Sequence, residues 1–309
     1  MQLFSCARWV ARNLAVLTLL GAVAAYLHPP LFLVFKDSFL WFFAATMLAV
    51  GVVLEPAELS ETVQRPGQIG LGLMTQFAVM PLLGFTAAMV APLPPEIALG
   101  FIIVACAPGA MASNVIVYLA GGAVAYSVAL TTIATAISPL LTPALVKWLG
   151  GVFLAIPFWP MVETILWTVV LPLLAGMGVR RLLGARLREA RDLAPAIAAV
   201  AIVIICSYAV AANQERIAQV GLWVLAMVIA VNGLGYLAGW WLGRVYRFDD
   251  RHRLTLSIEI GMQNAGLGVA LALEHFEPET ALPGALFAVW CILTAAGAST
   301  WFRRHPVTI

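Results

Sequence analysis

Apolar runs of about 20 residues, the length a helix needs to cross a bilayer, recur along the whole chain and are separated by short polar stretches. Ten such segments are predicted, at roughly 9–27, 36–54, 68–91, 95–120, 123–148, 157–179, 193–212, 217–243, 252–275 and 282–302. Two of them are interrupted by polar, helix-breaking residues. Pro108-Gly109-Ala110-Met111-Ala112-Ser113-Asn114 breaks the fourth, and Glu259-Ile260-Gly261-Met262-Gln263-Asn264-Ala265-Gly266 breaks the ninth. Asn114 and Asn264 stand 150 positions apart in a chain of 309, at equivalent points of two halves. Polar side chains and broken backbone at membrane depth are costly and mark ion or substrate sites. A matched pair in two halves is the sequence pointer to the binding site of a secondary transporter.

A division near residue 153 leaves five segments on each side, repeat one about 1–153 and repeat two about 154–309, a single transmembrane unit. Five is odd, so the second group enters the membrane in the opposite sense, and duplication then gives two inverted repeats. The broken segment is the fourth of each half. Antiparallel broken helices can cross near the midplane, where their interrupted turns share one polar volume. Each second half-helix there presents N–H groups and a positive dipole end, and unwound carbonyls can hold a cation. Gly235, Gly239 and Gly243, spaced by four in the eighth segment, predict a close helix–helix contact.

Composition agrees with this reading: 62% of the residues are hydrophobic and 10% charged, against about 25% charged in soluble domains. The placement of cations sets an orientation. With the N-terminus inside, inward segments hold 14 Lys or Arg (Arg8, Arg12, Arg65, Arg180, Arg181, Arg186, Arg188, Arg191, Arg244, Arg247, Arg251, Arg253, Arg303, Arg304) and outward segments hold 3 (Lys36, Lys147, Arg216). That bias predicts both termini in the cytoplasm and a location in the inner (plasma) membrane. Arg8 and Arg12 ahead of an apolar run imitate a signal peptide, but nine further segments follow, and the first is expected to be retained. Cys6, Cys106, Cys206 and Cys291 have no paired spacing, so neither a disulfide nor a zinc site is expected.

Glu259 is the most telling single residue. It lies among Leu256, Ile258 and Ile260, and a carboxylate at depth requires a partner. No Lys or Arg falls in the central part of any predicted span, which leaves a cation or a proton. Ser113, Asn114, Ser127, Thr131, Gln76 and Gln263 supply oxygens, with Ser127 and Thr131 four apart on one helix face. One carboxylate among neutral oxygens suits a monovalent ion such as Na⁺ better than Ca²⁺ or Mg²⁺. Glu163, after Pro157, Trp159 and Pro160, reads as interfacial, and Asp249-Asp250 reads as a solvated turn in a basic loop.

Three stretches resemble the bile acid:sodium symporter family. They are Pro108 to Val115 with Tyr118-Leu119-Ala120 and Val124 to Ala129; Ser138-Pro139-Leu140-Leu141-Thr142-Pro143; and Ser257-Ile258-Glu259-Ile260-Gly261-Met262-Gln263-Asn264-Ala265-Gly266-Leu267, followed by Leu282 to Phe287. The resemblance implies an all-α fold of ten transmembrane helices in two inverted five-helix repeats. A core of spans 3–5 and 8–10 moves against a panel of spans 1, 2, 6 and 7, with broken helices four and nine crossing. It also implies two sodium ions. Ser113, Asn114, Ser127, Thr131 and Glu259 match the first site. Gln76, Glu259 and Gln263, with the carbonyls of Ile260 and Met262, match the second. On the substrate side, Ala110, Met111, Asn264 and Ile292 occupy the matching positions. Three departures stand out: Met111 replaces a Thr common in bacterial members, Cys291-Ile292 follows Trp290 where His-Asn is common, and Gly121-Gly122-Ala123 replaces Lys-Gly-Asp.

The expectation is therefore a sodium-coupled symporter of a small organic anion (bile-acid-like, pantoate-like or a 2-oxo acid) working by alternating access. A proton-coupled carrier and, behind it, an efflux permease of related fold are the alternatives. An enzyme is not expected, because neither paired Asp-rich motifs nor a Ser/His or twin-Asp arrangement occurs. The partners are the substrate and the lipid bilayer, with no nucleic acid and no obligate protein partner.

Overall fold

Helices build every regular element that the computed structural model describes, over residues 2–54, 66–184 and 187–304, and no β-strand occurs among them. Arg65 and Arg186, two cations of the orientation argument, fall outside these residues. The first apolar run, predicted as one span at 9–27, is two helices, α1 (Gln2–Arg12) and α2 (Leu14–Leu27). They meet at Asn13, whose Nδ2 donates to the Trp9 carbonyl at 2.8 Å, the side chain-to-backbone competition that makes Asn a poor helix-interior residue.

A short turn, α3 (Pro30–Leu33), leads to α4 (Phe39–Val53) and then α5 (Pro66–Val90). The fourth predicted segment is α6 (Pro95–Cys106) and α7 (Ser113–Leu119), and α8 is Val124–Gly150. Next come α9 (Phe158–Leu183), with a π-helical turn at Leu166–Val170, α10 (Leu187–Ala212) and α11 (Gln214–Val245). The ninth segment is α12 (Asp250–Gly261) and α13 (Ala265–His275); a 3₁₀ turn at Pro278–Ala281 precedes α14 (Leu282–Arg304). Among the described residues, five helices are long and apolar enough to cross a membrane, α5, α8, α9, the Glu189–Ala212 part of α10, and α11, or six if the bent pair α1–α2 is one span.

Two packing groups form. In one, α4 lies against α9 and α10, and α10 also carries α1 and α2. In the other, α5 packs on α6, and α11 packs on α12 and α14. The glycine stripe makes the α11–α12 contact possible. A Cβ at Gly239 would stand 2.7 Å from the Leu256 carbonyl oxygen and the Ser257 Cα, and one at Gly235 would stand 3.3 Å from the Gly261 Cα. Any larger residue would separate these backbones. One apolar cluster joins the two groups: Phe39, Phe43 and Met47 of α4 and Ile205 of α10 share it with Ile102 of α6 and Leu267 of α13.

Candidate ion and substrate site

Both interruptions are narrower than the polar runs suggested. Helix α6 continues through Cys106, and the chain then turns extended at Ala107 (φ −66°, ψ 153°). Pro108 explains this, because its ring excludes the helical region for the residue before it. At the other break Glu259, Ile260 and Gly261 still belong to the last turn of α12, and only Met262–Asn264 is unwound.

The two unwound segments lie antiparallel, with Gly109 opposite Gln263. The Ala110 N–H donates to the Met262 carbonyl at 2.9 Å and the Asn264 N–H donates to the Pro108 carbonyl at 2.8 Å. Breaks in separate parts of the sequence thus satisfy part of each other's backbone, as any irregular backbone at membrane depth must be satisfied. One Met262 lone pair and one Ile260 lone pair are already in use, since Gln263 Nε2 donates to the Ile260 carbonyl at 3.0 Å.

Glu259 sits beside this crossing, buried to 1% exposure. Its Oε1 accepts from Ser113 Oγ at 2.6 Å and also from Ser127 Oγ. Ser127 Oγ lies 2.7 Å from Asn114 Oδ1 as well. One hydroxyl proton cannot serve two acceptors, so this group of oxygens is short of donors. Thr131 Oγ1 donates back to its own helix, to Ser127 at 2.9 Å or Val128 at 3.1 Å, and stands 3.4 Å from Asn114 Oδ1. The other carboxylate oxygen, Oε2, is buried with no hydrogen-bond partner. It points at Gly109, where a Cβ would stand 3.1 Å away. Gln76 is held by its amide nitrogen, which donates to Gln263 Oε1 at 2.9 Å, while its Oε1 is also buried without a partner.

An unpartnered buried acceptor costs about 1–3 kcal/mol. Glu259 Oε2 and Gln76 Oε1 are two such acceptors, on side chains that both reach the crossing, and a positive charge there would satisfy them. No group of three His, Cys, Asp or Glu that could hold a metal occurs among the described residues; the oxygens gathered here are one carboxylate with neutral hydroxyl and amide groups.

Two supports escaped the sequence reading. Asn232 of α11, buried to 1% exposure, donates from Nδ2 to the Gly261 carbonyl at 2.8 Å and accepts from Trp290 Nε1 at 3.1 Å. Thr142 of α8 donates to the Cys106 carbonyl at 2.9 Å. Each closes the C-terminal end of a helix that stops at a break. The only signal for Asn232 was an amide in the apolar run beside the glycine stripe; Thr142 gave none beyond lying in a Ser-Pro-x-x-Thr-Pro stretch.

Of the residues expected to face substrate, Ala110, Met111 and Asn264 are partly exposed. Asn264 Oδ1 caps α13 by accepting from the Leu267 N–H at 3.1 Å. Ile292 belongs to α14, and its side chain lies outside the described residues. The departure at Gly121 has a structural use: Gly121 adopts φ +75°, and the Gly122 N–H donates to the Val117 carbonyl at 2.9 Å, a Schellman closure of α7.

The model of the sodium bile acid symporter family matches residues 40–220. The sodium-dependent transporter YocS of Bacillus subtilis (strain 168), itself uncharacterized, is 34% identical over 296 residues, 96% of this chain and 92% of that protein. The probable chloroplastic sodium/metabolite cotransporter BASS1 of Arabidopsis thaliana is 34% identical over 263 residues, 84% of this chain and 66% of that protein. Its counterpart in Oryza sativa subsp. japonica is 36% identical over 245 residues, 79% of this chain and 60% of that protein. With the family match covering more than half of its length, and a relative matched almost end to end, the chain belongs to the sodium bile acid symporter family, a family of sodium-dependent membrane transporters and not of enzymes.

Proposed function

We propose that this protein carries a small organic anion across the membrane together with sodium, by alternating access. The observation that carries the reading is the donor-poor oxygen cluster around Glu259, with two buried acceptors, Glu259 Oε2 and Gln76 Oε1, left without partners. The relatives named for sodium-dependent transport and sodium/metabolite cotransport support it.

In this reading the chain spans the membrane ten times in two inverted repeats with both termini cytoplasmic. The α1–α2, α4, α9 and α10 group is the panel, and the remaining helices are the core. One sodium ion lies with Ser113, Asn114, Ser127, Thr131 and Glu259. The other lies with Gln76, Glu259, Gln263 and the free lone pairs of the Ile260 and Met262 carbonyls. Ion binding ties α5, α7, α8 and α12 into one body and thereby favours the state that takes substrate. The substrate, a carboxylate or sulfonate such as a bile-acid-like, pantoate-like or 2-oxo acid, meets the partly exposed Ala110, Met111 and Asn264 and the neighbourhood of Ile292. Met111 and Ile292 make this side less polar than Thr and Asn would. Two sodium ions with a monovalent anion move one net positive charge inward, to which a potential of about 100 mV contributes about 2.3 kcal/mol.

Uptake of candidate anions into proteoliposomes under an inward sodium gradient tests this. Glu259→Ala should abolish the sodium dependence, and unchanged sodium-driven uptake in that variant would overturn the assignment. Uptake driven by a pH gradient at zero sodium would favour a proton-coupled carrier instead.

A further inference from the structure

A third buried oxygen without a partner stands on α8, the helix that also carries Ser127 and Thr131. Thr135 of α8 is 1% exposed, and its Oγ1 makes no hydrogen bond. A threonine in a helix ordinarily donates to a carbonyl one turn back, as Thr131 does to Ser127 at 2.9 Å. The Thr135 carbonyl has lost its usual donor, because residue 139 is a proline, and Ser138 Oγ replaces it at 2.9 Å. The Thr135 hydroxyl has no such substitute.

Neighbouring contacts place that hydroxyl. Thr131, Thr135, Ser138 and Thr142 follow at intervals of four, three and four residues, so they share one face of α8. At one end of this face Thr131 lies beside Gly109, whose Cβ position is 3.6 Å from Thr131 Cγ2. At the other end Thr142 donates to the Cys106 carbonyl. The segment from Cys106, at the end of α6, to Gly109 in the unwound stretch therefore runs along this face, and Thr135 falls between its two contacts. The side chain of Gln76 reaches the same place, with Nε2 3.4 Å from the Ala107 carbonyl. Gly72, one turn before Gln76, abuts α8 at Leu130, 2.8 Å from Cδ1 to its Cβ position, which sets Gln76 level with the next turn of α8. Glu259 Oε2 faces Gly109 at the edge of this space. Two buried oxygens without partners, on Glu259 and Gln76, thus belong to side chains that reach the short stretch Ala107–Gly109, and the face of α8 that carries the third runs past it.

We propose that the Thr135 hydroxyl is a further sodium ligand, sharing the ion position of Gln76 and Glu259 Oε2. This rests on the sodium-symport reading above. The hydroxyl offers the ion a neutral oxygen from a helix that otherwise serves the first site through Ser127 and Thr131, so both ion positions bear on α8. Occupying the second position would then stiffen the helix that builds the first.

Sodium-dependent thermal stabilisation of the purified full-length protein, titrated with NaCl against choline chloride at constant ionic strength, reads this without knowledge of the substrate. Thr135→Val keeps shape and removes the oxygen. It should raise the sodium concentration for half-maximal stabilisation about tenfold, the scale of one hydrogen bond-like contact to a charge, and lower the steepness of the curve. Thr135→Ser should restore both to near the unaltered protein. Thr135→Ala serves where the valine variant is not monodisperse. An unchanged midpoint in the valine or alanine variant overturns the proposal and makes the space a water site. Absence of any sodium-specific stabilisation in the unaltered protein, with Glu259→Gln equally unresponsive, overturns the sodium reading itself together with this one.

Discussion

The two broken helices are built differently. At the second break the ends are fixed by side chains: Asp249 Oδ1 accepts from the His252 N–H at 2.9 Å to start α12, Asn232 takes the Gly261 carbonyl, and Asn264 caps α13. At the first break neither Pro94, which starts α6, nor Ala112, which starts α7, makes a side-chain cap. Its unwound stretch covers residues 107–112 against 262–264, and the helix after it has 7 residues against 11. The carbonyls that end α6 are served from α8 and α5, by Thr142 and Gln76. The second break is thus capped by side chains at both helix starts, braced at Gly261 from α11, and carries Glu259. The first has no side-chain cap and is held largely by its neighbours α8 and α5; under the proposed sodium sites, its shape would follow ion binding to those neighbours. In a symporter, that asymmetry separates a fixed charge from an adaptable shell.

The sharpest way to break this contrast is Asn232→Ala. It leaves the Gly261 carbonyl buried without a partner and removes the acceptor of the partly buried Trp290 indole N–H, so unfolding stability should fall by about 1–3 kcal/mol. Sodium affinity should fall with it, because the last turn of α12 positions Glu259. A large drop in melting temperature with an unaltered sodium midpoint would show that Glu259 is placed by something other than this brace.

Gly121→Ala probes the first break more gently. Nothing lies within 4 Å of the added methyl, but φ is +75°, where a Cβ costs roughly 1–2 kcal/mol. The loss should appear as weaker closure of α7, read as faster amide exchange over Ser113–Leu119 with α13 unaffected. Equal loosening of both half-helices would show that the breaks form one rigid unit, against the contrast drawn here.

Much of this site was legible because a membrane makes polarity conspicuous. Glu259, Ser113, Asn114, Ser127, Gln76 and Gln263 stood out against apolar neighbours, and the structure brings them together around one crossing. The limits of the breaks were not legible. Glu259 and Ile260 look like part of a polar run, yet the helix continues through Gly261, whose carbonyl a distant amide receives. Thr135 and Thr142 were invisible for another reason. A hydroxyl on a membrane helix usually bonds its own backbone, so only the tertiary arrangement shows that one donates to Cys106 and the other has no partner. The bend at Asn13 was hidden because one amide in a long apolar run hardly lowers its hydropathy. Asp249-Asp250 read as a solvated turn; both carboxylates are indeed more than half exposed, but Asp249 is also the cap of α12.

That cap supplies the mildest test, and one with a sign. Partial burial works to raise the Asp249 pKa, but hydrogen bonds from the His252 amide and ring outweigh it and hold the carboxyl below its usual value. A depressed folded-state pKa means stabilisation that is present above the unfolded value of about 3.9 and is lost as pH falls through the folded one. Asp249→Ala should therefore cost about 1 kcal/mol near neutral pH, the usual worth of an N-cap. The gap in melting temperature between variant and unaltered protein should narrow towards pH 3. A gap independent of pH would mean that Asp249 acts through packing rather than charge. The second broken helix would then start from a contact no more specific than the Pro94 start of the first.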